Sequence, residues 1–163
     1  MSNSFAGQVT LFTSHDGFEG PETRPVRFRL QLQADGRTLR VESFEPVVVD
    51  IESSTPKLRL TVTMLGNGGG RLDPATGIVE LQARFHFSFD KAIIAPPSTL
   101  DLQLSTGAAQ MPAGDTQTGQ PVTPGDPVLH LVGSGSFQHG VLGQHRCGAI
   151  IDGQLDPPLM LPA

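Results

Sequence analysis

The chain has 163 residues, 37% of them hydrophobic, with 19 Gly, 14 Pro, a single Cys and no Trp or Tyr. That length gives one domain with a core of its own, and the glycine and proline excess excludes a long helical bundle. Eleven basic against sixteen acidic residues give a net charge of -5, and with no basic run in the sequence a nucleic-acid partner is not expected.

The start, Met1 to Gln8, has neither a basic region nor an apolar run, so it does not read as a secretory signal. No stretch of about 18 apolar residues predicts a membrane span. A lone Cys147 cannot make an internal disulfide. A cytoplasmic protein with no membrane span is the expectation.

Alternation of apolar and polar residues, which puts successive side chains on opposite faces of a strand, is the dominant pattern. Val26, Phe28, Leu30 and Leu32 alternate with Arg27, Arg29, Gln31 and Gln33. Asp35-Gly36 then supplies a tight turn and Thr38 to Phe44 returns, which predicts a hairpin over 26–44. Val47 to Ile51 is β-branched and predicts a short strand. Leu58, Leu60, Val62 and Met64 form the apolar row of the next strand, which Gly66-Asn67-Gly68-Gly69-Gly70 is expected to break. Asp73 to Gly77 reads as a turn.

From Ile78 to Asp90 the alternation is the longest in the chain: Val79, Leu81, Ala83, Phe85, Phe87 and Phe89 oppose Glu80, Gln82, Arg84, His86, Ser88 and Asp90. A straight strand of that length, about 43 Å, barely fits a domain of this size, so it must tilt around a barrel, coil across a sandwich or carry a bulge. Leu100, Leu102 and Leu104 mark a further strand. Residues 106–127 read as a long Pro/Gly-rich loop, to be mobile, a flap, or held by a partner. Val128 to Phe137 and Gln144 to Leu155 complete the set, the first weakened by Gly133 and Gly135, which predict a bulge or close backbone packing. The chain is therefore expected to be one all-β domain over 1–163, a single antiparallel β-barrel or β-sandwich of about eight to nine strands.

Two groups of side chains can carry chemistry. His130, His139, His145 and Cys147 are the only cluster of transition-metal donors, with His145 and Cys147 two apart on one strand, although their spacing matches no standard zinc module. Glu80, Arg84 and His86, on the polar face of the long strand, place an acid, a cation and a base candidate in one line. If that face were enclosed, it would orient a ligand beside Phe28, Phe85, Phe87 and Phe89; if it faces water, it is a solvated strand. Nucleotide-binding, metalloprotease and serine-hydrolase motifs are absent and no cofactor is expected.

Residues 92–145, 54 in all, contain no Lys or Arg. With the long loop inside it, this stretch points to an uncharged contact surface. The leading expectation is a non-enzymatic β module that works through protein contacts, as an assembly subunit, homo-oligomer or protein-binding domain. The alternative is a β-barrel binding an apolar small molecule, with isomerase or cyclase chemistry grafted on it.

Overall fold

A computed structural model describes residues 2–13, 22–51, 57–91, 98–112, 114–138 and 144–161. It is all-β. The described residues form eleven strands: β1 Ser2–Thr13, β2 Glu22–Leu32, β3 Thr38–Phe44, β4 Val47–Ile51, β5 Leu58–Asp73, β6 Ile78–Phe89, β7 Ser98–Ser105, β8 Ala108–Gln110, β9 Thr116–Thr118, β10 Val128–Gln138 and β11 Gln144–Asp156. Eight of them close an antiparallel up-and-down barrel in the order β1, β2, β3, β5, β6, β7, β10, β11 and back to β1. Of the two architectures expected from the sequence, the barrel is the one formed.

Each wall strand keeps its apolar row inside. On β6, Val79, Leu81, Phe85 and Phe87 are buried while Glu80, Gln82 and Arg84 are exposed. The bore is filled by one continuous apolar cluster, as an eight-stranded barrel of this diameter allows. Its middle is a string of phenylalanines. Phe5 stacks on its cross-strand partner Phe28 at 4.4 Å between ring centres, Phe28 lies 6.4 Å from Phe44, and Phe44 meets Phe85 edge-on at 4.9 Å. The string runs from β1 through β2 and β3 to β6, so it ties one side of the bore to the other.

β4 is not a separate wall strand. Thr38 faces Arg71 and Val41 faces Gly68, and beyond the break Val47 faces Val62 and Ile51 faces Leu58. The register on β5 is therefore unchanged across the break, and β3 and β4 are one interrupted strand. Pro46, which has no N–H to donate, stands in the interruption.

The glycine run does not end β5. It forms a bulge in which Gly66, Asn67 and Gly68 stand against the single Ala83, with Leu65 facing Arg84 and Gly69 facing Gln82. Gly66 sits there at φ 65°, a left-handed conformation that most side chains resist. Local excess length bends this long strand so that its two halves serve different partners. Gly133 of β10 has another role: a Cβ there would run into the carbonyl oxygen of Gln103, so the close approach of β10 to β7 needs glycine.

Residues 106–127 carry structure of their own. β8 and β9 pair as a small hairpin. Thr106, fully buried, accepts at Oγ1 from Val79 N–H at 2.8 Å; Val122 N–H donates to Gly77 O at 2.8 Å; and Gln120 N–H donates to His130 O at 3.2 Å. Val122 belongs to the core cluster, and Met111 is buried against Gly148 on the outside of β11. The segment thus folds over one end of the barrel and part of its outer wall. At the same end the chain beyond β11 buries Leu159, and Asn3 Nδ2 holds it by donating to Pro157 O at 2.7 Å.

The phenylalanine string predicts that Phe28→Ala, which removes its centre, costs about 3–5 kcal/mol of unfolding free energy. Urea unfolding followed by circular dichroism checks this. A second expectation concerns the β2–β3 turn. Asp35 accepts hydrogen bonds from Thr38 Oγ1 at 2.6 Å, Thr38 N at 2.8 Å and Arg37 N at 2.9 Å. These bonds, the Thr38 hydroxyl first, hold its carboxyl down to about 2 from an ordinary 3.8. A lowered folded-state value means that the turn's contribution is complete above 3.8 and is lost as pH falls through about 2. Carboxyl chemical shifts across an acid titration should give Asp35 a midpoint near 2, and a midpoint near 3.8 would show the turn to be open.

Candidate functional site on the outer wall

With the bore filled, the concave features among the described residues lie outside it. The bulge of β5 and the hairpin over β10 create them. Gly69 faces outward from β5 and offers no side chain, while Gln82, Gln103 and Ser134 continue the same surface across β6, β7 and β10. Ala108 and Ala109 of β8 form a rim. The result is an open groove of about 640 Å³. A second groove, of about 550 Å³, runs from the Pro74 turn past Arg37 and joins the first at Arg71 and Glu80. A third, of about 310 Å³, joins it at Gly69 and Gln82 and reaches Arg84, Asp101 and Leu65, itself 43% exposed. Together they make one trench across the outer faces of β5, β6, β7 and β10.

The central groove is mostly neutral, with amide and hydroxyl groups over small residues. Charge is confined to its ends. Arg84 Nε donates to Asp101 Oδ1 at 2.7 Å, and this bond keeps the Arg84 guanidinium more strongly protonated than usual. The pair is exposed on both sides, so it fixes side-chain positions more than it stabilises the fold. At the other end Arg71 and Glu80 are cross-strand neighbours without an ion pair between them. Such a surface can exchange hydrogen bonds with a partner's backbone and amide groups; among the described residues no nucleophile with an adjacent base lines it.

The sequence-derived residues divide between the two faces of the wall. Glu80 and Arg84 line the trench, and His86 is half-buried on the same outer row, opposite Thr63 and Thr99. Phe28, Phe85 and Phe87 are buried in the bore, and Phe89 packs against that core partly exposed. One strand cannot turn both rows to the same pocket, so these seven residues do not converge. Gly69, Gln82, Gln103 and Ser134 were not singled out in the sequence, because only the register brings four separate strands side by side. The Gly68-Gly69-Gly70 run was the one signal for them.

The metal-donor set is not assembled either. Cys147 is buried in the core cluster. His130 lies on the outer row of β10, its Nδ1 3.5 Å from Asp152 Oδ1. The two are on opposite faces of the wall and cannot hold one ion. His139 and the side chain of His145 lie outside the described residues, among which no group of three or more donors is positioned for a metal.

No protein-family model, no curated protein and no solved structure matches this chain. No described helix is long and apolar enough to cross a membrane. The wall itself, apolar inside with Arg, Glu and Gln rows outside, has the reverse polarity of a barrel that faces lipid.

Burial pushes the Cys147 thiol up to about 12. A thiolate is the reactive form, so native protein should react with a disulfide reagent only as fast as it unfolds. The measured modification rate should follow the unfolding rate as urea is raised. A fast reaction in native buffer would show that Cys147 is accessible.

Proposed function

We propose that this protein is a non-enzymatic β module that works through contacts with another polypeptide, and that the outer-wall trench is its contact surface. One observation carries the reading: a closed barrel with a filled bore presents a groove of about 640 Å³ on its outside, roofed at one side by the β8–β9 hairpin. The groove draws Gln103, Leu104, Ser105, Ala108, Ala109, Val132 and Ser134 from the stretch without Lys or Arg. Neutral amides and hydroxyls suit a partner's backbone, and the missing charges lower the desolvation cost of covering them.

Strand addition at a sheet edge is the other route to a contact. The ring leaves one seam, where the first half of β2 and the outer edge of β4 diverge around a small groove of about 210 Å³. Pro25 and Pro46 both stand at it. Proline at an edge withholds a ladder donor and blocks pairing, which favours the trench over the seam.

Ala109→Arg places a long cation in the groove without touching the core. Light scattering of the wild type over a concentration series, and recovery of bound protein from its own lysate, should show self-association or a retained partner. The Ala109→Arg variant should lose it at unchanged thermal stability. A strict monomer that retains no partner would overturn the reading.

A further inference from the structure

The sequence carries no basic run, yet the fold assembles a basic surface. Arg27 and Arg29 project from the outer face of β2, Arg40 from β3 opposite Gln31, and Arg71 from β5 opposite Thr38. With Arg37 in the β2–β3 turn they account for five of the eleven basic residues, all exposed. None forms a side-chain ion pair among the described residues, although the Asp35 carboxylate lies close enough to Arg37 to feel its charge. Three cations elsewhere are paired: Arg59 with Asp50 at 2.8 Å, Arg84 with Asp101 at 2.7 Å and Lys91 with Asp90 at 3.4 Å.

Nearby carboxylates are otherwise engaged or marginal. Asp35 uses its oxygens within the turn, and Glu42 accepts from Ser2 Oγ at 2.6 Å. Glu80 flanks Arg71 across the strands without pairing. On one side the flanking positions are small, with Ala6 facing Arg27, Ser4 facing Arg29 and Gly69 facing Arg40; on the other, Glu45 stands beside Arg27 and donates its N–H to Arg27 O at 2.9 Å. The guanidinium groups are therefore exposed, and Arg29 and Arg40 have no acidic residue directly across from them. Like charges held together in a chain of net charge -5 repel one another, and a bound polyanion relieves that repulsion.

We propose that this band docks an extended acidic segment of a partner protein, with carboxylates at alternate positions. The spacing selects it. Arg27 and Arg29 are two residues apart on one strand, a separation of about 7 Å, which is also the repeat of alternate side chains in an extended peptide. Each guanidinium presents a planar fork that matches a carboxylate through two parallel hydrogen bonds. A carboxylate segment laid along β2 meets Arg27 and Arg29 in step and reaches Arg40 at the next strand. Arg37 and Arg71 also border the trench, but Arg27, Arg29 and Arg40, which carry the proposal, do not line it, so the proposal does not rest on the trench's role.

The test is fluorescence anisotropy with a labelled peptide of alternating Glu and Ser, about ten residues long, in low salt and again near physiological ionic strength. The Arg27→Gln/Arg29→Gln double variant should bind about tenfold more weakly than wild type, and Arg40→Gln alone should show a smaller loss. Arg59→Gln/Lys91→Gln removes the same net charge from ion pairs elsewhere and should leave binding within about twofold. Melting curves confirm that each variant is folded, and Ala109→Arg should bind the peptide as wild type does. Equal losses in the two double variants would reduce the effect to net charge and overturn the proposal. So would absence of wild-type binding at low salt, or tighter binding of a single-stranded oligonucleotide of matching length, which would make the band a phosphate-backbone surface.

Discussion

The structure depends on the contact of Phe5, Phe28, Phe44 and Phe85 inside the bore. Four rings from β1, β2, β3 and β6 touch in sequence and cross the barrel, so a ring of strands that would otherwise enclose space is filled. Leu30, Leu39, Leu100, Leu129 and Leu131 pack around them at close to zero exposure. Filling the bore decides which side chains remain accessible. The inward side chains are spent on one another, and the accessible surfaces are the outer rows of the same strands.

Closing a wall around that string requires bends, and the bends shape the exterior. The β5 bulge lets one strand serve β4 with its first half and β3 with its second while β6 follows on the other side. Without the extra residues opposite Ala83, β5 could not stay in register with both neighbours. Gly69, placed outward by the same bulge, leaves the gap in the wall that becomes the trench floor. Closure of the core and the presence of an outer groove thus have a common cause in one run of glycines. The β8–β9 hairpin adds the rim, and its anchorage through Thr106 and Val122 places it over β10 rather than free in solvent.

The alternation of β2, β6 and β7 was legible in the sequence because over 26–32, 79–89 and 100–104 every second residue is apolar without a gap. β1 was not legible. Its inward row is Asn3, Phe5, Gly7, Val9 and Leu11, and a buried amide and a glycine interrupt the apolar signal. Asn3 is tolerated there because its amide is satisfied by the Pro157 and Pro158 carbonyls, 154 and 155 residues away, a pairing no local window contains. The glycine run read as a break because composition reports flexibility, whereas cross-strand register determines whether a bulge can be accommodated. Residues 106–127 read as a loop because β8 and β9 are only three residues each, too short for a periodicity to show. The candidate sites were legible only in fragments: Glu80 and Arg84 were visible on one strand, but their neighbours from β5, β7 and β10 depend on the closed topology.

Charge was the least legible property, because a linear count averages what the barrel separates. The last 72 residues hold five aspartates and one arginine, against ten basic and eleven acidic groups before them. Read along the chain, this looks like an acidic half and a balanced half. Around the ring it becomes a polarity, since β3, at the centre of the arginine band, and β10, beside the Asp152 and Asp156 strand, are four strands apart in either direction. Barrel topology brings Arg27, Arg29, Arg40 and Arg71 together on neighbouring strands and sets Asp152 and Asp156 of β11 apart from them. Coulomb steering acts on the face that an approaching molecule meets, on the scale of the Debye length of about 8 Å, and not on the total. A chain with an overall negative charge can therefore carry a face of local positive charge, and an acidic segment such as the one proposed would meet that face in preference to the strand that bears Asp152 and Asp156.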